Sequence, residues 1–256
     1  MVLPMNKYYR KLRTVINAVK FKWIERKLYG VKFIFKRNNS DTLLICFSAL
    51  PPTNFRIYNN IIGFENLKKN GRRIDRLYIC DSWGFRGSYY YFEHGSDLPY
   101  RKTSALIEKI LTNNNYSHIY TAGTSKGGTS AIIFGLKYNA SDIFAGACQY
   151  YIGKFLNVPC HYNILDKMIS NDLSHNQWVE KLDSIVPTLI QKYNGCDTRI
   201  HLIYSKKEQT YEDHIKDLID DAFRNKIIVI QNVCDFVNHN DVGHAFIPYV
   251  QKFFSE

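Results

Sequence analysis

Seven short apolar runs rich in β-branched and aromatic residues recur along the chain. They lie at 31–35 (VKFIF), 42–49 (TLLICFSA), 76–81 (RLYICD), 118–123 (HIYTAG), 143–151 (IFAGACQYY), 199–205 (RIHLIYS) and 226–233 (KIIVIQNV). Between most of them run segments of helical periodicity, at 102–111, 127–136, 177–193, 211–223 and 244–254. Near-continuous apolar strands cannot leave a face in water, and parallel strands need long crossovers. The alternation therefore predicts an α/β domain with a mostly parallel, doubly wound sheet covered by helices on both faces. In such a sheet ligands bind beyond the carboxyl ends of the strands. The stretch 154–197 exceeds an ordinary crossover and carries its own helix, which predicts a cap-like insertion over that edge.

Charge narrows the partners. The chain has 34 Lys and Arg against 23 Asp and Glu, a net +11, of which residues 1–30 carry +7 and the remainder only +4. A nucleic-acid binder basic over its whole surface does not have this distribution, and helix-turn-helix and zinc-knuckle patterns are absent, so no nucleic-acid partner is expected. On a 3.6-residue period Leu12, Val15, Ile16, Val19, Trp23 and Leu28 fall close to one face, with Arg10, Arg13 and Lys20 mostly elsewhere. Residues 1–29 thus read as a basic amphipathic segment ahead of a domain at 30–256. Such a segment either lies on an anionic membrane surface or packs its apolar face on the domain or a partner. The six cysteines form no C-x-x-C pair, and several sit in apolar runs as small core residues, so no metal site is expected. With no uninterrupted apolar stretch of signal-peptide type and no run of 18 apolar residues, the expected location is the cytoplasm, with peripheral attachment to an inner membrane through the basic segment as a further expectation.

The strongest chemical signal is Gly123-Thr124-Ser125-Lys126-Gly127-Gly128. It fits G-x-S-x-G and sits between a predicted strand and a small-residue helix, the context in which a tight turn exposes a serine Oγ as nucleophile. A phosphate-loop reading fails, because its lysine follows the last glycine whereas Lys126 precedes Gly127. In this fold class the chain order is Ser, acid, His. His244, in Gly-His just before the closing helix, is the expected base, with His239 as the alternative. Glu208, three residues past the RIHLIYS strand, is the expected acid; Asp213 and Asp235 are the alternatives. The oxyanion of acyl transfer needs backbone donors, expected from Lys126 and from Ala49 or Leu50, since Pro51 and Pro52 have no N–H. The aromatic segment Trp83, Phe85, Tyr89, Tyr90, Tyr91 with Arg86 is the expected floor for a sugar ring, the alternative being ordinary packing under a loop.

Taken together, CFSALPP, CDSWGFRGSYYY, AGTSKGGTSAIIFGLKYN, the carboxylate after RIHLIYS and GHAFIPYVQKFF resemble the α/β-hydrolase-fold capsule polysaccharide O-acetyltransferases of the meningococcal serogroup A type. A more distant likeness is to the glycan-modifying accessory proteins of serine-rich adhesin secretion. The resemblance spans about residues 30–256, and its most specific parts are FSA-x-PP, RG-[ST]-YY and SKGG. It implies acetyl transfer from acetyl-CoA, as donor substrate with no bound cofactor, to a hydroxyl of an anionic polysaccharide through an acetyl-serine, with Ser125, Glu208 and His244 in the triad positions. Glu208 departs from the aspartate expected there, and the basic N-terminal segment, for which capsule-assembly proteins are a further candidate partner, is unexplained by the resemblance. A carbohydrate esterase on the same triad and a non-catalytic interaction protein of this fold are the competing readings.

Overall fold

The computed structural model describes residue 21, residues 23–51 and residues 58–255. Residues 1–20, which hold most of the basic amphipathic segment, and Pro52 lie outside the described residues. Ten strands are described: β1 (Arg26–Leu28), β2 (Val31–Lys36), β3 (Thr42–Phe47), β4 (Lys68–Lys69), β5 (Arg72–Arg73), β6 (Asp75–Cys80), β7 (His118–Thr124), β8 (Asp142–Gly146), β9 (Arg199–Ser205) and β10 (Ile228–Cys234). Eight form one sheet in the order β1-β2-β6-β3-β7-β8-β9-β10. The first two ladders, β1 to β2 and β2 to β6, are antiparallel, and all the others are parallel. This is the α/β-hydrolase arrangement, and the mostly parallel, helix-covered sheet agrees with the sequence expectation.

Strand periodicity splits the core by face. Leu43, Ile45 and Phe47 of β3 join Leu77 and Ile79 of β6 in one buried cluster, while Leu44 and Cys46 join Tyr78, Phe246 and Val250 in the other. Alternate residues of a strand point to opposite faces, so a strand apolar at every position can bury both. The closing helix Val242–Ser255 contributes Val242, Phe246, Val250 and Phe254, one stripe at four-residue spacing.

Several boundaries differ from the sequence expectation. The run 143–151 leaves the sheet at Gly146, because Ala147 takes a φ of 41° and turns the chain aside. The helix expected over 177–193 is two, His175–Asp183 and Ile185–Lys192, meeting at Ser184. Pro187 has no N–H for the Asp183 carbonyl, so the first helix cannot run through. Arg26–Leu28, counted by composition with the N-terminal segment, pairs with β2 as an edge strand. The β4–β5 hairpin was not foreseen; Asn70 and Gly71 both have positive φ, as a type I′ turn requires. Four helices, the first Ile152–Leu156, fill the span between β8 and β9, and from this span Lys154, Phe155, Val158 and His161 line the main cavity.

Candidate active site

Ser125 sits at the turn between β7 and the helix Lys126–Lys137, with φ 52° and ψ −128°. A non-glycine residue held there costs on the order of 1–3 kcal/mol, which the surrounding packing must offset. The neighbouring glycines show why. A Cβ on Gly123 would lie 2.2 Å from the Gly127 carbonyl oxygen, and one on Gly127 would lie 2.5 Å from that of Phe47. Strand, turn and helix therefore meet backbone to backbone. The Ser125 amide donates to the Gly146 carbonyl at 2.7 Å, tying the turn to β8. Ser125 lines a cavity of about 910 Å³ shared with Glu208, His239, His214, Lys154, Arg86, Ala49 and Leu50.

The carboxylate and imidazole that meet in this cavity are Glu208 and His239. His239 Nδ1 lies 3.2 Å from Glu208 Oε1, which also accepts from the Thr210 hydroxyl. Burial alone would raise the Glu208 pKa, but the hydrogen bonds from His239 and Thr210 and the charge of His239 outweigh it and hold the carboxyl below its ordinary value. His239 Nε2, the nitrogen remote from Glu208, is buried with no hydrogen-bond partner among the described residues. His244, the expected base, is instead exposed on the closing helix and does not line the cavity. The reason is helical phase: two residues beyond buried Val242, at about 100° each, His244 points away from the packed stripe. His239 stays in the cavity because it opens a single 3₁₀ turn, His239–Asp241, ahead of that helix. Of the other acids, Asp213 also lines the cavity but is paired with Lys154 at 3.0 Å, whereas Asp235 pairs with Lys207 at the surface.

Two loops face the serine. Lys126 opens the helix, so its amide has no carbonyl one turn back within the helix. Its side chain is wholly buried, with Nζ 2.6 Å from Asp81 Oδ2 and over the Tyr90 ring. Asp81 Oδ2 also accepts from the Ser88 and Tyr90 amides. Tyr90 Oη in turn accepts from the Ser48 amide at 2.8 Å, so the loop after β3 is braced by the same network. Within that loop the Ala49 amide donates to Asn59 Oδ1 at 2.9 Å, which commits one of the two expected oxyanion donors elsewhere. Leu50 lines the cavity.

The expected sugar floor is divided: Trp83, Phe85, Arg86 and Tyr91 are half-buried, whereas Tyr89 and Tyr90 are interior. Tyr89 and Tyr90 are fully buried, with φ of 57° and 56° that fold them back beneath their own loop. Their hydroxyls serve buried partners, Gln149 for Tyr89 and the Ile79 carbonyl for Tyr90, so neither presents a face to a ligand. Trp83 lines a separate cavity of about 200 Å³, which Arg86 shares. Arg86 also reaches the main cavity, its Nε donating to the Pro51 carbonyl at 2.6 Å. Contributors that the sequence reading does not single out include Gln149, which donates to Ser125 Oγ at 3.1 Å, and Lys154, His161 and His214. Burial pushes His214 down to about 4, so it is a neutral wall of the cavity near neutral pH. Among the described residues no group of three or more His, Cys, Asp or Glu could hold a metal ion, and no helix is long and apolar enough to cross a membrane.

No protein-family model matches the chain, and no curated protein sequence matches it. Solved structures do. The chain is similar to the capsule O-acetyltransferase of Neisseria meningitidis serogroup A, in a histidine-to-alanine mutant in complex with CoA, at 23% identity and TM-score 0.73, covering 90% of this chain and 94% of that one. It is similar to a glycosylation-associated protein complex from Streptococcus agalactiae at 20% identity and TM-score 0.68, covering 88% of this chain and 44% of that one. A fluorophosphonate-binding serine hydrolase of Staphylococcus aureus is similar at 11% identity and TM-score 0.58, covering 88% of this chain and 92% of that one. At these identities the likeness establishes the α/β-hydrolase fold.

Proposed function

We propose that this protein is a serine acyltransferase that moves acetyl from acetyl-CoA to a hydroxyl of an anionic surface polysaccharide. The observation that carries the proposal is Ser125 on its strained turn, in one cavity with the Glu208–His239 pair. The fold's likeness to a capsule O-acetyltransferase seen with CoA supports the choice of donor and acceptor.

In this reading Glu208 holds the His239 ring with Nε2 turned to the substrate and stabilises the imidazolium. Ser125 Oγ bonds to the acetyl carbonyl carbon as its proton passes to His239 Nε2, and the carbonyl electron pair moves onto oxygen. The Lys126 and Leu50 amides stabilise that oxyanion. When the pair returns, the carbon–sulfur bond breaks and the thiolate of CoA takes the proton from His239. An acceptor hydroxyl then repeats the sequence on acetyl-Ser125, its proton going to His239 and on to the departing Ser125 Oγ. Arg86, on the cavity wall, supplies positive charge for an acidic acceptor or for the donor's phosphates. The brace from Lys126 through Asp81 and Tyr90 to Ser48 holds the two oxyanion loops in register.

The experiment is turnover with acetyl-CoA and a panel of acidic polysaccharides, following both free CoA and acetylated glycan. Acceptor-dependent CoA release supports transfer; acetyl release to water at a rate indifferent to acceptor replaces it with the esterase reading, which the likeness to serine hydrolases favours. Attachment to an anionic inner membrane through the basic segment 1–29 is tested separately by deleting residues 1–20 of it, which spares β1. Unchanged membrane association in cells would refute it.

A further inference from the structure

The nucleophile's oxygen already has a hydrogen-bond donor that the triad does not require. Gln149 is fully buried, follows β8 on the segment that turns aside at Ala147, and donates from Nε2 to Ser125 Oγ at 3.1 Å. Its amide orientation is held on every side. Nε2 also faces the Ala147 carbonyl at 3.5 Å, while Oε1 accepts from the Tyr89 hydroxyl at 3.2 Å. Backbone anchors fix the residue itself: its N–H donates to Thr129 Oγ1 at 2.9 Å, and Thr129 Oγ1 donates to its carbonyl at 2.8 Å. Thr129 lies on the elbow helix one turn beyond Ser125, so the amide and the nucleophile are mounted on the same rigid element.

We infer that Gln149 is a catalytic hydrogen-bond donor to the serine oxygen, assisting both formation and breakdown of the acyl-serine. The inference rests on the reading of Ser125 as nucleophile. A hydroxyl that accepts a hydrogen bond keeps its own proton free for His239 Nε2. As Oγ attacks and gives up that proton, a donor already in place meets the charge it transiently carries. In the second half the ester bond between Oγ and the acyl carbon breaks, the electron pair returns to Oγ, and His239 delivers the proton. The same N–H then stabilises the leaving oxygen. A preorganised donor in a dry site is worth most where charge develops, so the benefit falls on rate rather than on substrate affinity. The buried, positive-φ Tyr89 acquires a role as well: its hydroxyl keeps the Gln149 oxygen turned away from the serine.

The test compares native protein with Gln149→Met, which keeps the length of the side chain and removes the donor, using p-nitrophenyl acetate for the burst and decay of the adduct and intact mass for its site. The expected result is a loss of about 10- to 100-fold in both the acylation and deacylation rates, as one charge-assisted hydrogen bond is worth, with KM within about twofold. Gln149→Glu adds a signature that a structural role would not give. Its activity relative to native protein should rise as pH falls from 8 to 5.5, because only the neutral acid can donate to Oγ. Tyr89→Phe, which removes only the anchor of Oε1, should lose a few-fold in rate and keeps the question open to test should Gln149→Met fail to fold. Native rates in Gln149→Met, a pH-independent activity ratio in Gln149→Glu, or native rates in Tyr89→Phe overturn the inference. A native protein that forms no adduct on Ser125 overturns the nucleophile reading itself, and with it this one.

Discussion

Lys126→Met isolates the buried ion pair beneath the nucleophile. Lys126 and Asp81 are 0% and 1% exposed at their side chains and 2.6 Å apart. Removing one partner of such a pair leaves an uncompensated buried charge and generally costs about 3–5 kcal/mol. Asp81 retains two backbone donors, from Ser88 at 2.8 Å and Tyr90 at 3.2 Å, while its Oδ1 has no partner among the described residues. The retained donors place the cost near the lower end, about 3 kcal/mol. At about 2–4 °C per kcal/mol for a domain of this size, that lowers Tm by roughly 6–12 °C. Urea unfolding followed by tryptophan fluorescence measures the energy directly. Adding Asp81→Asn should recover most of it, because a neutral amide still accepts from Ser88 and Tyr90 and carries no charge to desolvate. A single variant within about 0.5 kcal/mol of native, the range of an ordinary surface substitution, would refute this account of the brace. So would a double variant no more stable than the single.

Gly127→Ala should cost about 3 kcal/mol or more, or yield insoluble protein, because its Cβ would fall 2.5 Å from the Phe47 carbonyl oxygen; a native-like Tm would refute the close approach. Acid should destabilise the fold through His214: with a folded pKa of about 4 against an ordinary 6.5, the unfolded chain binds the proton first, so stability falls as pH drops through that window by about 3 kcal/mol in all. Glu208, held below its ordinary value, acts in the same direction at lower pH, and His214→Phe should flatten the pH 4–6.5 part of a Tm profile. Glu208→Gln should lower kcat by about 10²- to 10⁴-fold while Asp213→Asn leaves it within about twofold, and equal losses in the two would return the choice of acid to open question.

What was legible in the chain follows from which signals are local. The central strands were readable because a strand buried on both faces is apolar along most of its length, as in LLICF of β3 and LYIC of β6. The elbow was readable because glycines flanking a serine between strand and helix satisfy a backbone requirement that chain order alone displays. The placement of His244 outside the cavity was also legible in the chain. The stripe Val242, Phe246, Val250, Phe254 starts the closing helix before His244 and turns that residue to solvent, leaving His239 on the loop. Tyr89 and Tyr90 were misread because an aromatic run has the same composition whether it floors a pocket or fills the space beneath it. Only the positive φ values and the distant partners Gln149 and Ser48 separate the two. Gln149 itself was invisible, since its contact with Ser125 depends on the chain leaving the sheet at Ala147.

The central claim is that Ser125 is acylated with His239, not His244, as its base. Intact-mass measurement of native protein, His239→Ala and His244→Ala after exposure to acetyl-CoA tests it most directly. The account predicts one acetyl group on Ser125 in native protein and in His244→Ala, and none in His239→Ala on the same timescale. An adduct that survives loss of His239 and vanishes with His244 would contradict it.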